Sequence, residues 1–304
     1  MKHPHLLHIF SPTKYVSPFD INMAYEANFS GVIPYCGVEL DEVHGLTQDT
    51  IFSRSTEGVK RTGIFIGGRD FELSLRMLEA ARAAMVPPFA VSVMADPSGA
   101  ITTAAAMVAL VEQQLEQTFS MTLRGTRSCI LGGTGPVGEC VGLLMARAGA
   151  ECVIVSRRGL EAGQQTADKL RRKFDVELNG ADGSSDDAIR SWLGDIDVVF
   201  NTAKAGARVV DAQLLKHAKS LKVIADGNAV PPSGVEGVAA DDRGATLSIT
   251  NGRTARTLGA LAIGDVKFRV HTELLEHMHG SSEPVYIAFE EAFKAAREIV
   301  SRSA

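Results

Sequence analysis

Leu131-Gly132-Gly133-Thr134-Gly135-Pro136-Val137-Gly138, with Ser156-Arg157-Arg158 further on, is the stretch that decides the fold of this chain. Just ahead of it, Arg127-Ser128-Cys129-Ile130-Leu131 is a short, mostly apolar run that predicts a buried strand. Behind it, Val137 to Gly149 places Val137, Val141, Leu144 and Met145 on one face, the spacing of a helix. The pattern Gly133-x-Gly135-x-x-Gly138 therefore sits between a strand and a helix, as a dinucleotide-binding βαβ unit requires. The first glycine permits the turn, the second admits a pyrophosphate to the backbone, and the third lets helix and strand pack closely. Free N–H groups at the helix N-terminus favour the anion. Gly133, Thr134, Gly135, Pro136, Val137 and Gly138 are thus the candidate pyrophosphate loop. The competing reading is a glycine-rich turn that binds nothing.

The following strand, Glu151-Cys152-Val153-Ile154-Val155, ends in Ser156, Arg157 and Arg158. A site built for NAD usually carries Asp or Glu here, to hold the ribose 2′-hydroxyl. An acid would repel a 2′-phosphate, whereas a hydroxyl and a guanidinium fork bind one. NADP is the expected cofactor. NAD stays open, since one arginine stacked on adenine and the other in solvent would serve both.

The rest of the composition narrows the class. A chain of 304 residues can bury a large core and is expected to form two domains. Its 45% hydrophobic and 22% charged content is that of a soluble globular protein, and a net charge of −5 gives no sign of nucleic-acid binding. No run reaches the length of a membrane span. Met1-Lys2-His3-Pro4-His5 leads into only a short apolar run, so no signal peptide is expected. Cys36, Cys129, Cys140 and Cys152 lack CxxC spacing, and Cys129 and Cys152 fall inside predicted strands, which suits a reducing cytoplasm. His3, His5 and His8 read as a solvated arm, and no metal site is expected.

Along the chain, Leu6 to Phe10, Gly63 to Ile66 and Phe89 to Met94 are strand-like, and Phe71 to Met85 has helical periodicity. Asp96-Pro97-Ser98-Gly99 is a turn cluster, and Thr102 to Leu115 reads as a helix connecting to a second unit. From Thr126 to about Asp226, strand and helix alternate as in a parallel doubly wound sheet, with later strands at Val176 to Leu178, Asp197 to Phe200 and Lys222 to Ala225. Gly227 to Gly252 reads as irregular. Leu258 to His277 and Pro284 to Val300 read as helices, the last with Val285, Phe289, Phe293, Ala296 and Val300 on one face and Pro284 in its first turn.

Several segments, in order and covering almost the whole chain, resemble one family, the bacterial NAD(P)-dependent methylene-tetrahydromethanopterin dehydrogenases. They are Pro18-Phe19-Asp20 with Ala24-Tyr25, Ile64 to Asp70, Met94 to Ala106, the glycine loop, Ala225 to Pro232, and Leu258 to Gly264 with Lys267 and His271. The resemblance implies a two-domain α/β fold. An N-terminal substrate domain, residues 1–115, would be completed by C-terminal helices at about 272–304. A Rossmann doubly wound domain would span 116–271, with a cleft between the two. It implies hydride transfer from a methylene-pterin (tetrahydromethanopterin or tetrahydrofolate) to NADP in one-carbon metabolism, in a cytoplasmic homo-oligomer. Carried over by position, the pterin side is Asp20, Thr102, Thr103 and Lys267. The cofactor side is Thr134 to Val137 with Ser156, Arg157 and Arg158, and the loop Asn201-Thr202-Ala203-Lys204 lies near the nicotinamide ribose.

Two positions depart from the family pattern: Ala100-Ile101 where polar residues are common, and Tyr25-Glu26 where Tyr-Asp is common. Both bear on which pterin is used more than on the reaction. Hydride removal leaves a cation shared by two nitrogens and moves no proton, so no Ser-His-Asp arrangement is expected. Positioning suffices, with the donor carbon about 3–3.5 Å from the nicotinamide in a water-poor site. Asp20 would bind ring N–H groups, Thr102 and Thr103 ring atoms, and Lys267 a ring carbonyl. Each has a plainer alternative: Asp20 as a helix cap near Ile21, the threonines as a helix start, Lys267 as a solvated helix residue. His271, His217 and Trp192 read as structural or surface residues. The other functions left open are a dehydrogenase of this architecture acting on another small substrate, and a non-catalytic NADP-binding regulator.

Overall fold

The computed structural model describes residues 3–250 and 252–302; Met1 and Lys2, with which the signal-peptide argument began, lie outside them. The chain divides into two compact units, each described by itself. One holds the residues up to Thr102 with Phe268–Ala295, and the other holds Thr103–Lys267 with the segment from Ala296. The first division therefore falls earlier than residue 115, inside a helix.

The first unit is a five-stranded, wholly parallel sheet. Its strands are β1 (Leu6–Ser11), β2 (Gly31–Cys36), β3 (Thr62–Ile66), β4 (Ser92–Ala95) and β12 (Tyr286–Ile287), in the order β12-β4-β3-β1-β2. Central β3 is buried at every position, as expected of a parallel strand covered on both faces. At the edge, β2 is largely half-exposed and contains Pro34, which an edge strand tolerates. That weak pattern hides β2 from a reading of periodicity. Between the strands run α1 (Pro18–Glu26), α2 (Glu42–Phe52), α3 (Thr56–Val59) and α4 (Phe71–Ala83). Ser17, not Asp20, caps α1 by accepting from the Phe19 N–H, and Pro18 fills its first position. After β4, a 3-10 turn (Pro97–Gly99) leads into α5 (Ala100–Phe119).

The C-terminal helix begins later than its apolar face suggests. Val285 and Tyr286 pair with β4 instead, Val285 O accepting from the Val93 N–H at 2.9 Å. The helix α11 (Phe289–Arg302) starts where Glu291 reaches back to accept the Ala288 N–H at 3.0 Å. The expected face is otherwise present, since Phe289, Phe293, Ala296 and Val300 are buried.

The second unit is a seven-stranded sheet in the order β10-β11-β9-β8-β5-β6-β7. Its strands are β5 (Arg127–Leu131), β6 (Glu151–Ser156), β7 (Asn179–Asp182), β8 (Val198–Asn201), β9 (Val223–Asp226), β10 (Arg243–Ser248) and β11 (Thr254–Leu258). All pair in parallel except β10 with β11. The helices are α6 (Pro136–Arg147), α7 (Leu160–Phe174), α8 (Asp186–Leu193), α9 (Ala212–Leu215) and the start of α10 (Ala260–Gly280), whose residues from Phe268 belong to the first unit. The chain runs outward from β5 through β6 to β7, then restarts at β8 and runs the other way. That is the Rossmann order, with its switch point between β5 and β8. Leu131, Val155, Leu193, Val199, Leu214 and Ile224 belong to one apolar cluster of this unit, and Trp192 packs against it, its indole N–H donating to Asp182 O at 2.8 Å.

Two sequence expectations are corrected here. The third strand lies at Asn179–Asp182 rather than Val176 to Leu178, because Gly163 of α7 and Gly180 of β7 face each other backbone to backbone. A Cβ on Gly180 would lie 2.6 Å from Gln164 Cα. Asn-Gly looks like a turn locally, but helix-on-strand contact makes it strand. The stretch Gly227 to Gly252 holds β10, an exposed edge strand whose ladder depends on β11. No described helix is long and apolar enough to cross a membrane.

Candidate functional site

The loop between β5 and α6 closes on itself at its glycines. Gly132 has φ +70°, and a Cβ there would lie 2.6 Å from Ala203 Cα. A Cβ on Gly133 would meet Ile130 O at 2.8 Å, and one on Gly138 would meet Gly133 Cα at 2.5 Å. Gly135 differs: a Cβ there would meet only Gly132 O, at 3.5 Å, an ordinary contact, so it is the least crowded of these glycines. It also caps α6, with no side chain bonded to the helix end. The first-turn N–H groups are therefore not intercepted by a side-chain cap, and anions favour that end of the helix.

Beside this loop lies a groove of about 610 Å³. Of the sequence candidates, Thr134, Gly135, Ser156, Arg157, Arg158, Thr202 and Ala203 line it together, while Gly133, Pro136, Val137 and Gly138 do not. Arg157 and Arg158 are exposed, and neither pairs with an acid among the described residues. Ser156 is buried, and its Oγ accepts the Arg158 N–H at 3.1 Å, holding the turn that aims both arginines while keeping its own proton to donate. On the opposite wall the Thr202 hydroxyl donates to Leu131 O at 2.8 Å, so it clasps the end of β5. Sequence reasoning did not single out Ser184, Ser185 or Arg208, which also line the groove. The Gly-Ser-Ser run after β7 was a readable signal; Arg208 offered none.

Behind the β8 loop, Asp226 organises the backbone. Its Oδ1 accepts from Asn201 Nδ2 at 2.6 Å and the Asn228 N–H at 2.9 Å, and its Oδ2 from the Val235 N–H at 2.9 Å. Asn201 Oδ1 in turn accepts the Ala203 N–H at 3.3 Å. A second cavity, of about 780 Å³, opens beside Arg127, Ser128, Glu151 and Cys152. These residues start β5 and β6, whereas open α/β sheets bind ligands at the carboxyl ends of their strands. The smaller groove is therefore the candidate site of this unit.

In the first unit, the strand order also reverses, between β1 and β3. Asp20 sits at that point, buried, with its Oδ2 3.5 Å from where a Gly67 Cβ would stand, and the Gly67 N–H donates to Phe10 O at 2.9 Å. Asp96, at the end of β4, is fully buried. Its Oδ1 accepts the N–H groups of Ile101 and Thr102 at 2.8 and 3.2 Å, and its Oδ2 accepts the Thr102 hydroxyl at 2.6 Å. Thr102 thus does not present its hydroxyl at a surface, as its assignment to ring atoms assumed, because Asp96 takes it. Thr103 and Lys267 are half-buried, on α5 and α10. Ala100 and Ile101 are buried, so the departure from the family pattern there is a packing change.

His271, read from sequence as structural or surface, is fully buried with Nδ1 3.0 Å from Asp96 Oδ2. Nor are His5 and His8 part of a solvated arm, although His3 is exposed. His8 lies in β1 with Nδ1 3.1 Å from Tyr35 Oη, and the rings of His5 and His279 are 4.5 Å apart. Burial lowers the pKa of both His5 and His8. Among the described residues no cluster of His, Cys, Asp or Glu could hold a metal ion. Burial pushes the Cys152 thiol up to about 12 and raises Cys129 too, so both behave as packing groups.

Comparison with known proteins bears on the whole chain. Residues 18–98 match the family model "Methylene-tetrahydromethanopterin dehydrogenase, N-terminal". The chain is 40% identical, over 97% of its length and 98% of the relative's, to the NAD(P)-dependent methylenetetrahydromethanopterin dehydrogenase of Methylorubrum extorquens. It is 33% identical over the same share to the bifunctional protein MdtA of that organism. Among solved structures, shikimate 5-dehydrogenase from Listeria monocytogenes matches 99% of this chain and 97% of its own with a TM-score of 0.53 at 13% identity, a likeness of fold alone.

Proposed function

The chain belongs to the methylenetetrahydromethanopterin dehydrogenase family, and from that membership we propose that it oxidises methylene-tetrahydromethanopterin to the methenyl form with NADP, in one-carbon metabolism. The observation that carries the reading is 40% identity to an NAD(P)-dependent relative across 97% of the chain.

The groove beside α6 suits a dinucleotide by its own chemistry. Gly135 leaves room at a helix N-terminus without a side-chain cap, and two guanidinium groups that pair with no acid among the described residues stand where an NAD site would carry one. Gly135 and the first turn of α6 would hold the pyrophosphate, Arg157 and Arg158 the 2′-phosphate with Ser156 donating, and Thr202 and Ala203 the wall beside the ribose. When bound, the dinucleotide supplies the hydride acceptor. On the pterin side, Asp20 would accept ring N–H groups, while Thr103 and Lys267 would bind ring oxygen or nitrogen. Thr102 would act by holding the first turn of α5. No proton moves in this step, so the chain needs no general base; it binds, orients and excludes water. Four thiols without a disulfide suit a reducing cytoplasm.

The test follows absorbance at 340 nm with NADP or NAD and the methylene form of either tetrahydromethanopterin or tetrahydrofolate. Reduction with the methanopterin substrate, faster with NADP, is expected. No reduction with either pterin overturns the reading.

A further inference from the structure

We propose that Asp96 and His271 form a positioning pair that sets the first turn of α5, and through it the pterin-binding geometry of Thr103. The proposal rests on the reading of this face as the pterin side. Neither residue belongs to the set the sequence singled out for substrate. Yet the structure ties that set to them.

At least four donors converge on Asp96. Two are the Ile101 and Thr102 N–H groups, which an α-helix leaves without intrahelical partners at its start. The third is the Thr102 hydroxyl. The fourth is His271 Nδ1, from 175 residues along the chain. Asp96 is therefore the cap of α5, acting from beyond the intervening 3-10 turn. That turn holds Ser98 at φ +54°, a costly shape for a residue with a side chain, followed by Gly99 at φ +66°, which glycine adopts freely. A non-glycine residue in the left-handed region persists when its surroundings over-determine it. Here the Asp96 carboxylate supplies that constraint, helped by the Ser98 hydroxyl donating to Gly68 O at 2.8 Å.

His271 is not suited to packing alone. Its ring lies edge-on to Phe19 at 5.6 Å and tilted to Phe65 at 5.7 Å, an apolar slot, and Nε2 has no hydrogen-bond partner among the described residues. A buried polar atom without a partner is costly, so a leucine or phenylalanine would fill the slot better. The imidazole is explained by its other nitrogen. A carboxylate only accepts, so the ring presents N–H at Nδ1. Phe19 directly precedes Asp20, so the same ring also braces the start of α1. One buried pair thus links the two segments that carry Asp20 and Thr102.

The experiment compares His271→Leu with His271→Asn in the full-length enzyme. Asparagine places an N–H near the Nδ1 position; leucine keeps bulk without a donor. Melting temperature reports folding, calorimetry reports NADP affinity, and steady-state kinetics report pterin KM and kcat. His271→Leu is expected to raise KM for the methylene pterin roughly tenfold and to lower kcat, as loss of an outer supporting bond does at other sites, with NADP affinity unchanged. His271→Asn is expected to recover most of the loss. If His271→Leu fails to fold, Thr102→Val, which deletes one donor to Asp96, is expected to shift pterin KM in the same direction. Unchanged pterin kinetics in a folded His271→Leu, or in Thr102→Val, overturn the proposal. So does an equal loss with asparagine. Wild-type enzyme inactive on every pterin instead overturns the functional reading beneath it.

Discussion

Arg157 and Arg158 show how much a single position decides. Both follow Ser156 at the end of β6, exposed, with the Ser156 hydroxyl holding their turn. A guanidinium binds phosphate through a fork of N–H groups, and in the proposed reading that phosphate is the extra one of NADP. Arg157→Ala is therefore expected to raise KM for NADP by roughly tenfold or more, the worth of one charge-assisted bond, and to change KM for NAD little. Equal effects on both would remove Arg157 from the 2′-phosphate. The place of both arginines at the end of β6 was legible because the signal is local: the strand, its end and the side chains are consecutive. His271 was not legible, since its partner Asp96 lies 175 residues away and a lone histidine on a helix carries no signal.

The elements divide in the same way. β5, α6 and β6 lie where apolar runs and glycine spacing put them, within a residue or two. Their signals are continuous and buried. β2, β7, β10, β11 and β12 were misplaced or missed; all but β11 lie at a sheet edge, and β11 is a strand through its pairing with β10 and β9. β7 shows the reason. Its Asn179-Gly180 is a turn signature, overridden because α7 packs with Gly163 against Gly180. Gly180→Ala is expected to destabilise the protein by about 1–3 kcal/mol, since the new methyl meets backbone that cannot step aside. A denaturation midpoint equal to wild type would show that the two elements are not in such close contact.

Over the whole molecule, the chain forms two units whose dividing lines fall inside α5, between Thr102 and Thr103, inside α10, between Lys267 and Phe268, and inside α11, between Ala295 and Ala296. The lining of the groove belongs wholly to the second unit, so NADP bound there binds folded protein and not unfolded chain. At a hundred times its Kd it adds about 2.7 kcal/mol to that unit's stability. Calorimetric melting is expected to show an upward shift of several degrees with NADP and a smaller one with NAD at equal concentration. No shift with either would place the dinucleotide elsewhere. The sequence by itself determined the Rossmann unit, the NADP-type strand end and the kinship of the chain, because strand, turn, helix start and charge are all encoded within short windows. Only the tertiary structure decided that Thr102 is bound to a buried carboxylate, that Asp96 caps α5 from beyond a turn, and that His271 holds it. Those facts depend on which distant backbone segments meet, and local propensity carries no information about such meetings.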